Sequence, residues 1–170
     1  MPLNLASRER LQPSLLDRLT DLAPEQTRDA ADQQVLTMAA LRQAVLRDLA
    51  WLLNTTNLAT TEDLEQTPRV ASSTLNYGIP GFAGLFERAN RSQALEVAIA
   101  TAIKTFEPRI APETLRVRAR PPTEADGPTA LVFHIEGELW AQPVPQQLFL
   151  ETAIELETRL AVVKDARPRR

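Results

Sequence analysis

The segment Ser92-Gln-Ala-Leu-Glu-Val-Ala-Ile-Ala-Thr-Ala-Ile-Lys-Thr-Phe-Glu-Pro-Arg-Ile110 decides the fold. Leu95, Ile99, Ile103 and Phe106 recur every three or four residues, with Ala98 and Ala102 beside them, which places one apolar stripe on a helix. Asn90-Arg-Ser-Gln93 offers an N-cap, with Gln93 placed for a capping box. Pro108 ends the helix, because the residue before a proline is pushed out of the α region. Glu107 and Arg109 therefore flank a stiff dipeptide at the helix exit. Two readings follow: a docking point for a partner, or a local ion pair that tidies a helix end. On the docking reading Arg109→Ala is a surface change costing within about 0.5 kcal/mol.

Upstream lie two more helical patterns. Ser14 and Asp17 make a capping-box-like start to a short helix whose Leu15, Leu16, Leu19 and Leu22 form one face, closed by Pro24. So short a helix is marginal alone and must pack on its own domain or on a partner. Residues 23–34 are polar and read as linker. A longer helix covers about Val35 to Asn54, with Leu41, Val45, Leu49 and Leu52 on one face and Leu46 and Leu53 widening it. Between the long helices, Asn76-Tyr77-Gly78 and Pro80-Gly81 are turn signals, and Ser72 and Ser73 are placed to cap a single turn.

The chain after Pro108 reads as strands. Leu115, Val117 and Ala119 alternate with Arg116, Arg118 and Arg120, giving an apolar face and an arginine face. That arginine row fits a nucleic-acid patch, a partner surface or protection of a sheet edge, and the acidic total favours the last two. Leu131, Phe133, Ile135 and Leu139 alternate with Val132, His134, Glu136 and Glu138 in a second strand, where Gly137 marks a bulge or a close backbone approach. A third strand covers Leu148 to Leu156, and Leu160 to Val163 either extends it or forms a fourth. Together these patterns predict an α+β fold, with helices packed against a small, mainly antiparallel β-sheet.

Composition narrows the chemistry. The 170 residues are 44% hydrophobic and 24% charged, as in a globular domain. The net charge of −3 gives no electrostatic reason to bind nucleic acid. No apolar run approaches the roughly 20 residues of a membrane span, so direct membrane insertion is not expected. Met-Pro-Leu-Asn-Leu-Ala-Ser-Arg lacks the apolar core of a secretory signal, and the absence of cysteine fits a cytosolic protein. With one histidine and no cysteine, no metal site or cofactor motif is visible. Among 19 basic residues only Lys104 and Lys164 are lysine, and arginine suits planar pairing at interfaces. The best carboxylate pair for catalysis is Glu136 and Glu138, about 6.5–7 Å apart as i and i+2 along a strand. That spacing suits an inverting glycosidase, provided one carboxyl sits in an apolar pocket.

Five stretches carry a family resemblance. They are Pro13-Ser-Leu-Leu-Asp-Arg-Leu-Thr-Asp21, Arg47-Asp-Leu-Ala-Trp-Leu-Leu-Asn-Thr55, Ser73-Thr-Leu-Asn-Tyr-Gly-Ile-Pro80, Phe106-Glu-Pro-Arg-Ile110 and Phe133-His-Ile-Glu-Gly-Glu-Leu139. In this order they resemble the TssE baseplate wedge subunits of bacterial type VI secretion systems, relatives of the small baseplate wedge protein of contractile-tailed phages. Ala50 and Gly81 depart from the acids common in that family. The resemblance implies a structural, non-enzymatic role without cofactors. The expected division of the chain is an N-terminal docking segment and linker over 1–34, read from the brevity of the first helix and the polar stretch after it, a baseplate wedge domain over 35–165 and a flexible tail over 166–170, the linker and the tail having no counterpart in the family. The resemblance also implies that Glu107, Pro108 and Arg109 contact the other baseplate wedge subunits of a six-fold, hetero-oligomeric baseplate. The sheet, with Arg116, Arg118 and Arg120, would meet the contractile sheath subunits. The place implied is the cytoplasmic face of the inner membrane. The phage relatives have carried a lysozyme label, so a cell-wall glycosidase using Glu136 and Glu138 is the alternative.

Overall fold

The computed structural model describes residues 14–20, 25, 37–81, 90–127, 130–140, 145–155, 158 and 160–166. Four helices and four strands follow in order: α1 Leu15–Leu19, α2 Met38–Leu53, α3 Pro68–Ala71, α4 Arg91–Phe106, β1 Arg116–Arg120, β2 Ala130–Leu139, β3 Gln146–Glu155 and β4 Ala161–Asp165. The fold is α+β, with one antiparallel sheet in the order β1-β2-β3-β4.

The apolar stripes explain the layering. α2 buries Leu41, Ala44, Val45, Leu49, Leu52 and Leu53, and α4 buries Leu95, Ile99, Ala102 and Ile103. These meet Phe133, Ile135 and Leu139 of β2 and Leu148, Leu150 and Ile154 of β3 in a single core. Thr152 shares that inner face, fully buried, and its hydroxyl has no hydrogen-bond partner among the described residues. The capping chemistry differs between helices. Thr37 accepts the Ala40 N–H at the start of α2. At α4 the expected capping box does not form, and the Asn90 side chain caps nothing.

The fourth strand is separate: Ala161–Asp165 folds back on β3 rather than extending it. β3 thereby becomes an interior strand, so the sheet's edges are β1 and β4. Gly137 keeps regular register opposite Leu148, and the reason for glycine is close approach: a Cβ there would lie 3.0 Å from Ile110 Cγ2. Gly78 has φ of +120°, and a Cβ would lie 2.2 Å from the Thr55 carbonyl oxygen. Ser73 caps the short turn Thr74–Asn76, as the sequence suggests. Leu22, Pro24, Leu156 and Arg167–Arg170 lie outside the described residues.

Candidate functional site

The exit of α4 is anchored from three sides. Glu107 is the C-cap, its N–H donating to Ile103 C=O. Its side chain turns inward and the residue is only 3% exposed. Arg109 folds back over it: the backbone N–H and Nε both donate to Glu107 Oε1, at 3.1 and 2.7 Å, and Nη2 donates to Oε2. The same Nη2 donates to Asp48 Oδ2 at 2.5 Å. The following backbone docks on the sheet, where Trp140 N–H donates to Arg109 C=O and Ala111 N–H to Glu138 C=O. Pro108 stands exposed between the two charged residues.

Asp48 links this turn to the N-terminal helix. Arg47 Nε donates to Asp48 Oδ1 at 2.8 Å and Arg47 Nη1 to Asp17 Oδ1 at 2.7 Å. Asp17 also takes the Ser14 hydroxyl at 2.7 Å, so the capping pair at the start of α1 is present. The chain of ion pairs sets three carboxylates, Asp17, Asp48 and Glu107, against two guanidiniums, Arg47 and Arg109. It carries one negative charge in excess. Burial acts against the charge on Arg109, but its bonds to Glu107 and Asp48 outweigh that and raise its pKa further above the usual arginine value. Burial likewise opposes ionisation of Asp17, yet the hydrogen bonds from Ser14 and Arg47 and the Arg47 charge hold its carboxyl below the usual value.

Beside these charges lies a groove of about 490 Å³ with largely apolar walls. Leu41, Leu49, Leu52, Tyr77 and Phe106 line it, with Leu16, Trp51 and the 107–109 turn among its other lining residues. Tyr77 and Phe106 meet edge to face at 5.3 Å. Burial raises the Tyr77 phenol above its usual pKa, and the carboxylates of Asp48 and Glu107 add to that. Trp51 is 50% exposed, with the Arg47 guanidinium 5.1 Å from its ring centre. Leu15 and Leu19 are 72% and 73% exposed. Of the exposed large apolar side chains, Leu16 and Trp51 line the groove, and their place beside a fixed charge cluster suits protein–protein contact.

The arginine row occupies a different surface. Arg116, Arg118 and Arg120 face away from the helices. Arg120 is held by Asp126, at 2.8 Å, and by Glu151, at 3.0 Å. Asp126 is held far below the usual carboxylate range by Arg120 first and Thr123 second. Arg116 donates to the carbonyls of Glu113 and Leu115. Arg118 is exposed on the same face. Glu136 is exposed opposite Arg116, and Glu138 accepts from Gln147 Nε2 at 2.5 Å. Neither carboxylate lines the groove. His134 stands 3.8 Å from Glu151, and among the described residues no cluster of His, Asp or Glu is arranged to hold a metal. No described helix is long and apolar enough to cross a membrane.

Sequence reasoning brings Glu107 and Arg109 together correctly but misses Asp48 as their partner. The only sequence signal for it is the Arg47-Asp48 pair flanking the apolar face of α2. The chain matches the family described as "Baseplate wedge protein gp25" over residues 39–144. It belongs to that baseplate wedge family, the one that includes the TssE subunits. No curated protein and no solved structure matched.

Proposed function

We propose that this chain is a non-catalytic wedge subunit of a type VI secretion baseplate, acting in the cytoplasm at the inner membrane face. It holds neighbouring wedge subunits at the groove beside Glu107, Pro108 and Arg109, and starts the first sheath ring at its sheet. The observation that carries the first contact is the joining of an apolar groove, exposed Trp51 and exposed leucines to a charge cluster with one carboxylate in excess. An amphipathic helix from a wedge partner fits such a groove, with a basic residue set against the partly exposed Asp48. Glu107 serves here as an internal anchor, and Pro108, Arg109 and Trp51 present the outer contact. Residues 1–34 supply a docking segment through the exposed face of α1, tethered by Asp17 to Arg47. On the sheet side Arg116 and Arg118 meet the sheath, while Arg120 stabilises the face from within.

The test is co-expression with the other wedge subunits. Trp51→Ser and Pro108→Asp should each weaken wedge assembly at least about tenfold while leaving the melting temperature within a few degrees, because both residues are exposed. Unchanged assembly by both folded variants would overturn the groove as the docking site. A turbidity assay on purified cell wall should show no clearing, and clearing lost in Glu136→Gln would instead establish the glycosidase.

A further inference from the structure

The N-terminal helix α1 is seated the wrong way round for a helix held by burial. Its leucines look outward: Leu15 and Leu19 are largely exposed, and Leu16 is 44% exposed. Its carboxylate looks inward, with the Asp17 side chain 15% exposed. At five residues α1 is also far shorter than the roughly 12–15 that a helix needs to persist alone in water. What keeps it in place is therefore polar.

Among the described residues one hydrogen-bonded pair joins α1 to the domain: Arg47 Nη1 donates to Asp17 Oδ1 at 2.7 Å. The other bonds of α1 stay within it. The Ser14 hydroxyl donates to Asp17 Oδ2 and accepts the Asp17 N–H, and Thr20 donates to the Leu16 C=O from both its N–H and its hydroxyl. Arg47 also serves the groove. Its Nε donates to Asp48 at 2.8 Å, and its guanidinium lies over the Trp51 ring. Ser14 and Leu16 line the groove together with Trp51, Leu49 and Phe106. The seat of α1 and the wall of the groove thus share one side chain.

That seat is weak. An ion pair as open to water as this one, with Arg47 34% exposed, shifts an equilibrium by no more than about fivefold. Leu16, nearly half exposed, adds little apolar burial. The polar stretch 23–34 joins α1 to α2, and at about 3.3 Å per residue it is long enough for α1 to leave its seat.

We infer that α1 is a strap, latched by Asp17 on Arg47, that closes one side of the groove and slows the release of the wedge segment seated there. This rests on the wedge reading of the groove above. The latch sets orientation as well as strength. With Asp17 turned to Arg47, Ser14 and Leu16 meet the groove while Leu15 and Leu19 stay outside it. A strap that closes after the segment has entered acts on dissociation rather than on association.

The experiment first reads the strap in the free chain. The chain has no cysteine, so Leu19→Cys carries a single bimane fluorophore. Leu19 lies about 3 Å along the helix from Asp17, which brings the label of a closed strap within quenching reach of Trp51. Trp51→Phe in the labelled chain sets the unquenched level. Asp17→Arg should relieve at least about half of the quenching, and Asp17→Arg with Arg47→Asp, which rebuilds the pair reversed, should return it. The second reading is surface plasmon resonance of the unlabelled full chains on purified wedge subunits. Asp17→Arg should raise the release rate at least about fivefold and keep the association rate within about twofold, and the reversed pair should restore release. Melting temperatures should agree within a few degrees, because α1 lies outside the core. Should the reversed pair not fold, Asp17→Asn takes its place: release between wild type and Asp17→Arg supports the latch, and release equal to wild type overturns it. Normal binding by wild type with unchanged quenching or unchanged release in Asp17→Arg, or losses that a folded reversed pair does not restore, overturns the strap and leaves the groove reading intact. Wild type that binds no wedge subunit overturns both.

Discussion

Replacing Arg109 by alanine should destabilise the whole domain. Its guanidinium covers Glu107, whose side chain is 4% exposed, and reaches Asp48 on another helix. Removing one partner of a buried pair costs about 3–5 kcal/mol, because the other charge is left without compensation. Arg109 and Asp48 are each 22% exposed, so water screens part of the loss. The Arg109 backbone N–H also still donates to Glu107. The expected cost is about 2–4 kcal/mol, well above the value for a free surface residue. With a urea dependence of about 2 kcal/mol per molar, the unfolding midpoint should fall by about 1–2 M. Glu107→Gln combined with Arg109→Met removes the stranded charge and should recover more than half of the loss. Urea titration followed by far-ultraviolet circular dichroism reads both. An Arg109→Ala midpoint within about 0.3 M of wild type would refute the internal-anchor account and leave a surface docking residue.

Other perturbations follow from the same contacts. Thr152→Val should raise stability by about 1 kcal/mol, since it replaces a buried hydroxyl that has no partner among the described residues, and thermal melting checks it. Gly78→Ala should cost about 3 kcal/mol, from the positive φ and the clash with Thr55, read by urea unfolding. Asn54→Ala should cost about 1–2 kcal/mol and increase self-association by light scattering, because it exposes the Ala161 edge. The chain holds a single tyrosine, so absorbance near 295 nm should follow Tyr77 alone and show a midpoint above 10. A phenol with a raised folded pKa contributes stability below its unfolded pKa and loses it as pH rises through the folded one, so alkaline unfolding should begin above pH 10. Asp17 has the opposite sign: its folded pKa is depressed, so the α1 tether holds above its ordinary value of 3.8 and is lost as pH falls through the lowered one.

Side-chain periodicity carried most of the architecture. The stripes of α2 and α4 and the alternation in β1, β2 and β3 each identify a buried face, because burial repeats at 3.6 or 2 residues. β4 was ambiguous because it is short and only Ala161 is fully buried. Edges were not legible at all: alternation tells which face a side chain takes, not whether a backbone amide has a partner. Asn54 on Ala161 and Glu96 on Ala119 depend on helices placed by tertiary packing. The same holds for Asp48, which meets Arg109 across 61 positions of chain. The 107–109 turn was legible as a rigid element, but whether Glu107 points in or out required the fold around it.

The most direct test of the wedge assignment is co-purification of the full chain with the other baseplate wedge subunits after joint expression. The account predicts a discrete complex that survives gel filtration and is lost with Trp51→Ser. A folded wild-type chain that elutes alone, beside wedge subunits that assemble without it, would contradict it.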